Sequence, residues 1–196
     1  GALTGRDGQW ERLGRMIIAG TIPVVIVGGL FADAIEEHVR SPLMVAMTLT
    51  VGAIGLVVAE RIGRKSRDAR MLGYGEAFAV GCAQALALAP GISRSGSTLT
   101  MAMLLNVDRA SAARFTFLMS LPAIIAAAAK EGLELAKVGM DAIPVTIFAV
   151  GVVTSAVVGY VTVKFFIRYL AHHSLEVFAY YRLALAAVTV VWLLSR

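Results

Sequence analysis

The sequence predicts an all-α membrane protein: a polytopic helix bundle containing one broken, re-entrant helix pair. Three observations predict it. Hydrophobic residues make up 58% of the chain and charged residues 16%, with a mean hydropathy of +0.78, against about 45–50% and about 25% in soluble domains. The apolar residues are gathered into runs long enough to cross a bilayer core, which needs about 20 residues. In the middle of the chain two half-length apolar pieces meet at Pro90-Gly91. One small core cannot bury so much apolar surface, so lipid must solvate much of it.

The expected elements follow in order, within a single membrane domain over 1–196. Residues 16–35 form a first span, broken only by Asp33 near its end; Pro23 is tolerable where neighbouring helices satisfy the freed carbonyl. A polar turn over 36–40 leads to a second span at 43–59. Residues 77–89 are apolar but too short to cross, and 99–107 is a second short piece. Together, 77–107 reads as a re-entrant hairpin, because non-helical backbone at membrane depth persists only inside protein or beside a watery cavity. Spans are expected at 110–129, 142–163 and 177–194, with a mixed-charge loop over 130–141.

The net charge of +5 does not point to nucleic acid, because the basic residues sit between apolar runs. Segments 1–15, 61–70 and 164–173 hold the Lys/Arg excess, and the hairpin's return puts all three on one face. The positive-inside rule makes that face cytoplasmic. Cys82 is the only cysteine, so no intrachain disulfide can form. The opening stretch is polar and lacks the apolar core of a signal peptide, as if the chain begins within a longer one.

The chemistry is expected in Pro90-Gly91-Ile92-Ser93-Arg94-Ser95-Gly96-Ser97-Thr98. An arginine at membrane depth costs several kcal/mol (roughly 2.5–17) and persists beside an anion or a watery cavity. Its planar guanidinium holds phosphate oxygens in pairs. Ser93, Ser95, Ser97 and Thr98 add hydroxyls. Gly91 and Gly96 let backbone amides turn towards an anion, and a helix starting nearby aims its positive end at the same point. The alternative is close helix packing by Ser and Gly, with Arg94 snorkelling to an interface.

The segment Gly81-Cys82-Ala83-Gln84-Ala85-Leu86-Ala87-Leu88-Ala89 running into that motif resembles the second signature of the undecaprenyl-diphosphatase (bacitracin-resistance) family. The likeness continues through Arg109 and 112–122, and returns at Tyr181-Arg182. It implies an inverted-repeat fold with a re-entrant pair in each half. It also implies a bacterial inner-membrane enzyme that converts undecaprenyl diphosphate, an isoprenoid lipid substrate, to the monophosphate for cell-wall synthesis, working on the periplasmic side. The resemblance carries diphosphate binding to Arg94 and the flanking hydroxyl roles to Ser93, Ser95 and Thr98, with Gly91, Gly96, Ser97 and Gln84 as substrate-binding positions. A divalent cation, Mg or Ca, is implied by the family, but this chain shows no carboxylate cage for it. The family's glutamate-rich first signature does not occur here and belongs upstream of Gly1, so the chain resembles the C-terminal two thirds or so of a member, and a catalytically incomplete fragment is one expectation. A lipid-phosphate transporter or flippase could use the same anion site.

Other candidates carry less. Glu76 lies about four turns before the break. Gln84 lies about two turns before it, at the spot where the family's other repeat has a glutamate, so it is either a pocket hydrogen-bonder or a packing contact. Glu36, Glu37 and Glu60 sit at span ends and are expected to be solvated. His172 and His173 point about 100° apart on a helix and suit headgroup level better than a shared metal. Arg114 and Arg182 could assist with phosphate or snorkel. Cys82 is expected to pack.

Overall fold

The computed structural model describes residues 4–38, 41–138 and 145–195. They form seven α-helices: α1 (Thr4–His38), α2 (Pro42–Ile62), α3 (Tyr74–Leu86), α4 (Arg94–Leu104), α5 (Arg109–Val138), α6 (Val145–Leu170) and α7 (Glu176–Leu194). Five are long and apolar enough to cross a membrane, over Trp10–Phe31, Pro42–Ile62, Arg109–Glu134, Thr146–Leu170 and Glu176–Leu194. The protein is thus an all-α, multi-pass membrane bundle.

Local chemistry sets the helix ends. Ser41 caps α2 by accepting from the Met44 amide, and Pro42 follows at the first helical position, where no N–H is needed. Gly63 ends α2 where a side chain could not fit: a Cβ there would stand 2.5 Å from the Met103 carbonyl oxygen. Asp108 caps α5 through the Ser111 amide at 2.9 Å. The basic stretch after α2 lies against the α4–α5 connection, with the Ser66 and Arg67 amides both donating to the Asn106 carbonyl.

Several boundaries differ from the sequence reading. The apolar window of α1 begins six residues earlier, because 10–15 continue the helix instead of preceding it. Residues 130–138, expected as loop, are helical: this Ala-, Glu-, Lys- and Leu-rich stretch is made of strong helix formers. The rest of that loop, and the start of the span expected from 142, lie outside the described residues. α6 runs past Lys164 and Arg168 to Leu170, and α1 continues through Glu36 and Glu37, whose side chains are outside those described.

Lipid supplies no hydrophobic drive between spans, so their packing depends on close contact and polar ties. α2 and α7 pack as an antiparallel pair and bury alanines at seven-residue spacing, Ala46 and Ala53 on one helix and Ala179 and Ala186 on the other. α3 crosses α1 at two glycines: a Cβ on Gly81 would overlap the Gly20 carbonyl. The core gathers Leu56, Leu99, Met103, Phe115 and Met119 around the short helices. α6 joins this body near its C-terminus, where Phe166 meets Phe117 and Phe178 edge-on at 5.9 and 5.3 Å; residues 146–162 are exposed on every face.

The basic segments gather at one end of the bundle. Arg12 donates to the Leu72 carbonyl at 3.0 Å, and Glu60 at the end of α2 accepts from the Leu175 amide at the start of α7. Glu60 also takes Arg109 on both oxygens and Lys65 at 3.1 Å. It is therefore buried (7% exposed), not solvated as its span-end position suggested. The reason is its partners, one of them 49 residues away in sequence.

Candidate active site at the helix break

α3 stops because Pro90 offers no amide and Gly91 takes φ +89°. The Ile92 amide donates to the Ala89 carbonyl at 3.1 Å, so residues 89–92 form a turn with Pro second and Gly third, the residue pattern of type II. The turn abuts α2. Thr48 donates to the Pro90 carbonyl at 2.6 Å, and a Cβ on Gly91 would stand 2.8 Å from the Val45 carbonyl oxygen and overlap the Thr48 hydroxyl. Thr48 lies within α2, roughly 9 Å from its start and roughly 20 Å from its basic end at 1.5 Å per residue, so the turn packs against the side of a spanning helix and not beyond its ends.

α4 begins at once. Ser93 is its N-cap, its hydroxyl accepting from the Gly96 amide at 3.1 Å and lying 3.3 Å from the Ser95 hydroxyl. The amides of Ser93, Arg94 and Ser95 precede the first intrahelical bond and carry the positive end of the helix dipole. Ser97 and Thr98 turn their hydroxyls back to the Arg94 carbonyl, at 3.1 and 2.8 Å.

Beside this turn lies a cavity of about 480 Å³. Its polar wall is Gly91, Ser93, Ser95, Gly96 and Arg182; its apolar wall is drawn from α2, α4, the end of α6 and the start of α7. Arg182 reaches in from α7 and is 7% exposed. Its Nη2 donates to the Gly91 carbonyl at 3.0 Å, and its Nε is buried without a partner among the described residues. The snorkelling alternative for Arg182 is overturned: flanking helices enclose it. A Cβ on Gly52 of α2 would stand 2.9 Å from its Cζ, and one on Gly96 would stand 3.0 Å from its Nη1.

A family model described as bacitracin resistance protein BacA matches residues 3–188. The chain belongs to that family. Curated proteins named undecaprenyl-diphosphatase are similar to it over most of its length. The one from Rubrobacter xylanophilus is 46% identical over 184 residues, 94% of this chain and 68% of that protein. Those from Trichlorobacter lovleyi and Geotalea daltonii are 44% and 43% identical, each again covered over 68% of its length.

Within this BacA-family chain the expected site residues separate into groups. Gly91, Ser93, Ser95 and Gly96 meet at the cavity. Arg94, first in α4, is exposed and stands outside the cavity wall. Ser97 and Thr98 brace the first turn, with Thr98 wholly buried. Gln84 is 1% exposed on α3, away from the cavity wall, with both amide atoms unpartnered among the described residues. Arg114, His172 and His173 are exposed, and His173 stacks on Tyr169 at 4.2 Å. Cys82 is exposed, not packed as expected. The cavity offers hydroxyls and a guanidinium without a carboxylate, and among the described residues no three His, Cys, Asp or Glu side chains come together. That donor set does not suit a divalent cation.

Arg182 is the cavity residue that sequence reasoning undervalued. The signal was present, a charge within an otherwise apolar span, but the pattern does not say which way such a side chain turns.

Proposed function

We propose that this chain is an undecaprenyl-diphosphatase that hydrolyses undecaprenyl diphosphate to undecaprenyl phosphate and inorganic phosphate in the bacterial inner membrane. The observation that carries the reading is the hydroxyl-lined cavity at the helix break, in a chain so similar to proteins of that name. Hydrolysis joins a water oxygen to the terminal phosphorus and breaks its bond to the bridging oxygen, whose electron pair leaves on the lipid monophosphate. This chemistry needs positioning and charge neutralisation more than covalent assistance. The amides opening α4 and the Ser93 and Ser95 hydroxyls can donate to phosphoryl oxygens. Arg94, exposed beside them, supplies a cation for the approaching headgroup. Thr98 holds the first turn rigid, and Leu49, Leu56, Phe166 and Phe178 offer the isoprenoid an apolar wall.

Phosphate release from undecaprenyl diphosphate by the purified chain in detergent tests the reading, beside Arg94→Ala and Ser93→Ala. The expected result is release that falls in both variants, and by about 10²–10³-fold in Ser93→Ala, whose hydroxyl lines the cavity, the range for removing one charge-stabilising donor. No release by the parent chain, or parent-like release by both variants, would sink it.

A further inference from the structure

We propose that Arg182 is the buried cation that binds the diphosphate, and that Gly52 and Gly96 form the slot carrying its guanidinium into the cavity. The inference deepens the phosphatase reading and rests on it for the identity of the ligand. A guanidinium has five N–H donors and a full charge, and burying it is costly unless an anion or several acceptors meet it. Among the described residues Arg182 meets one neutral acceptor, the Gly91 carbonyl, and its Nε meets none. Among the described residues no carboxylate pairs with it. The two at the adjoining helix ends are engaged elsewhere, Glu60 by Arg109 and Lys65, and Glu176 by Arg61 at 3.8 Å.

The missing partner is therefore an anion, and the cavity specifies its class. The Ser93 and Ser95 hydroxyls and the amides opening α4 line the same space, so an anion there would meet donors from two directions. Multiple acceptor oxygens and a planar match to the guanidinium fork describe a phosphate or diphosphate. Tying down the turn alone explains less. That role uses one of the five donors and no charge, and Thr48 already holds the neighbouring Pro90 carbonyl.

Binding of inorganic diphosphate to the full chain in detergent, followed by calorimetry or phosphorus NMR, separates the two roles. Arg182→Gln removes the charge together with the Gly91 contact, since its amide reaches only as far as the arginine Nε; Thr48→Val removes the other tie to the turn and leaves the charge. The expected result is at least ~10-fold weaker binding in Arg182→Gln, as for loss of one charge-assisted hydrogen bond. Thr48→Val should bind within about threefold of the parent while melting at lower temperature. Should Arg182→Gln fail to fold, Arg182→Lys carries the test, weaker by about threefold or more because the fork is lost.

Parent-like binding in the arginine variants, an equal loss in Thr48→Val, or no diphosphate binding by the parent overturns the assignment. Phosphate release on the same preparations separates it from the phosphatase reading. A parent that binds through Arg182 but releases no phosphate keeps this site and loses that reading. A parent whose release is unchanged by Arg182→Gln does the reverse.

Discussion

Arg182 and Gly91 are 91 residues apart in sequence, and the Arg182 Nη2 donates to the Gly91 carbonyl at 3.0 Å. One residue earlier, Thr48 holds the Pro90 carbonyl. The turn between the two short helices is thus gripped from α7 and from α2, the two helices that pack on each other as a pair. A backbone break leaves carbonyls without helical partners, and these two contacts satisfy those of Pro90 and Gly91. Each holds a different carbonyl of the turn that leads into α4, so loss of one leaves the other as an anchor.

Gly91→Ala should damage both stability and activity. The left-handed backbone costs an alanine about 1–2 kcal/mol, and its methyl would overlap the Thr48 hydroxyl besides. The expected outcome is a lower melting temperature in detergent and phosphate release reduced about tenfold or more, since the amides of α4 move with the turn. Gly75→Ala, with nothing within 4 Å of the added methyl, is the control and should change neither.

Glu60→Ala should be among the most destabilising single changes in the chain. The carboxylate takes donors from three places: Arg109 at the start of α5, Lys65 after α2 and the Leu175 amide before α7. Removing one partner of a buried ion pair typically costs about 3–5 kcal/mol, because the other charge is left without compensation. Arg109 is partly exposed, which puts the expectation at the lower end, about 3 kcal/mol. Denaturant unfolding in detergent measures it, and Glu60→Ala with Arg109→Ala should lose less than the sum of the single losses. Additive losses would contradict direct coupling.

The spanning helices were legible because lipid demands long uncharged runs, and the break was legible because Pro90-Gly91 cannot continue a helix. The placement of charges was not. A carboxylate at the end of an apolar run has the same local pattern whether it meets water or a partner 49 residues on, as Glu60 does. Arg182 and Arg114 each sit near an apolar run, yet one is buried in the cavity and the other exposed. What separates them is the space left by Gly52 and Gly96 on other helices, which no window along α7 contains. Arg94, the residue with the strongest motif, starts a helix whose turn faces Ser93 and Ser95 to the cavity and leaves Arg94 outside its wall.

Acid should loosen the start of α3. Hydrogen bonds from Arg67 at 2.8 and 3.0 Å, and then from the Gly73 amide, hold the Glu76 carboxyl below the ordinary glutamate range. A depressed folded value means the contribution is complete above the unfolded value, roughly 4.3. It fades as pH falls through the lower folded value. Asp68 shifts in the same direction through Arg70. The parent's melting temperature should fall as pH drops from about 5 towards 3, and Glu76→Gln should lose part of that slope. An identical slope in the variant would remove Glu76 from the account.

Gly81→Ala should separate α3 from α1, and more severely than Gly20→Ala does. At Gly81 the added methyl meets backbone, overlapping the Gly20 carbonyl oxygen and standing 2.9 Å from its Cα, so the helices themselves must move apart. At Gly20 the nearest atom is the Met119 sulfur, on a flexible side chain that can turn away, with the Ala77 carbonyl next at 3.0 Å. Overpacking of this kind costs about 1–3 kcal/mol, with Gly81→Ala expected at the upper end and Gly20→Ala at the lower. Because α3 leads directly into the turn at Pro90-Gly91, activity should follow the same order. Gly151→Ala, on the exposed length of α6, should be neutral or stabilising by up to about 1 kcal/mol through helix propensity alone. Melting temperatures and phosphate release for the three variants measure the ranking. Equal losses at Gly20 and Gly81 would mean that the two helices are free to adjust at the crossing, which contact with the Gly20 backbone does not allow.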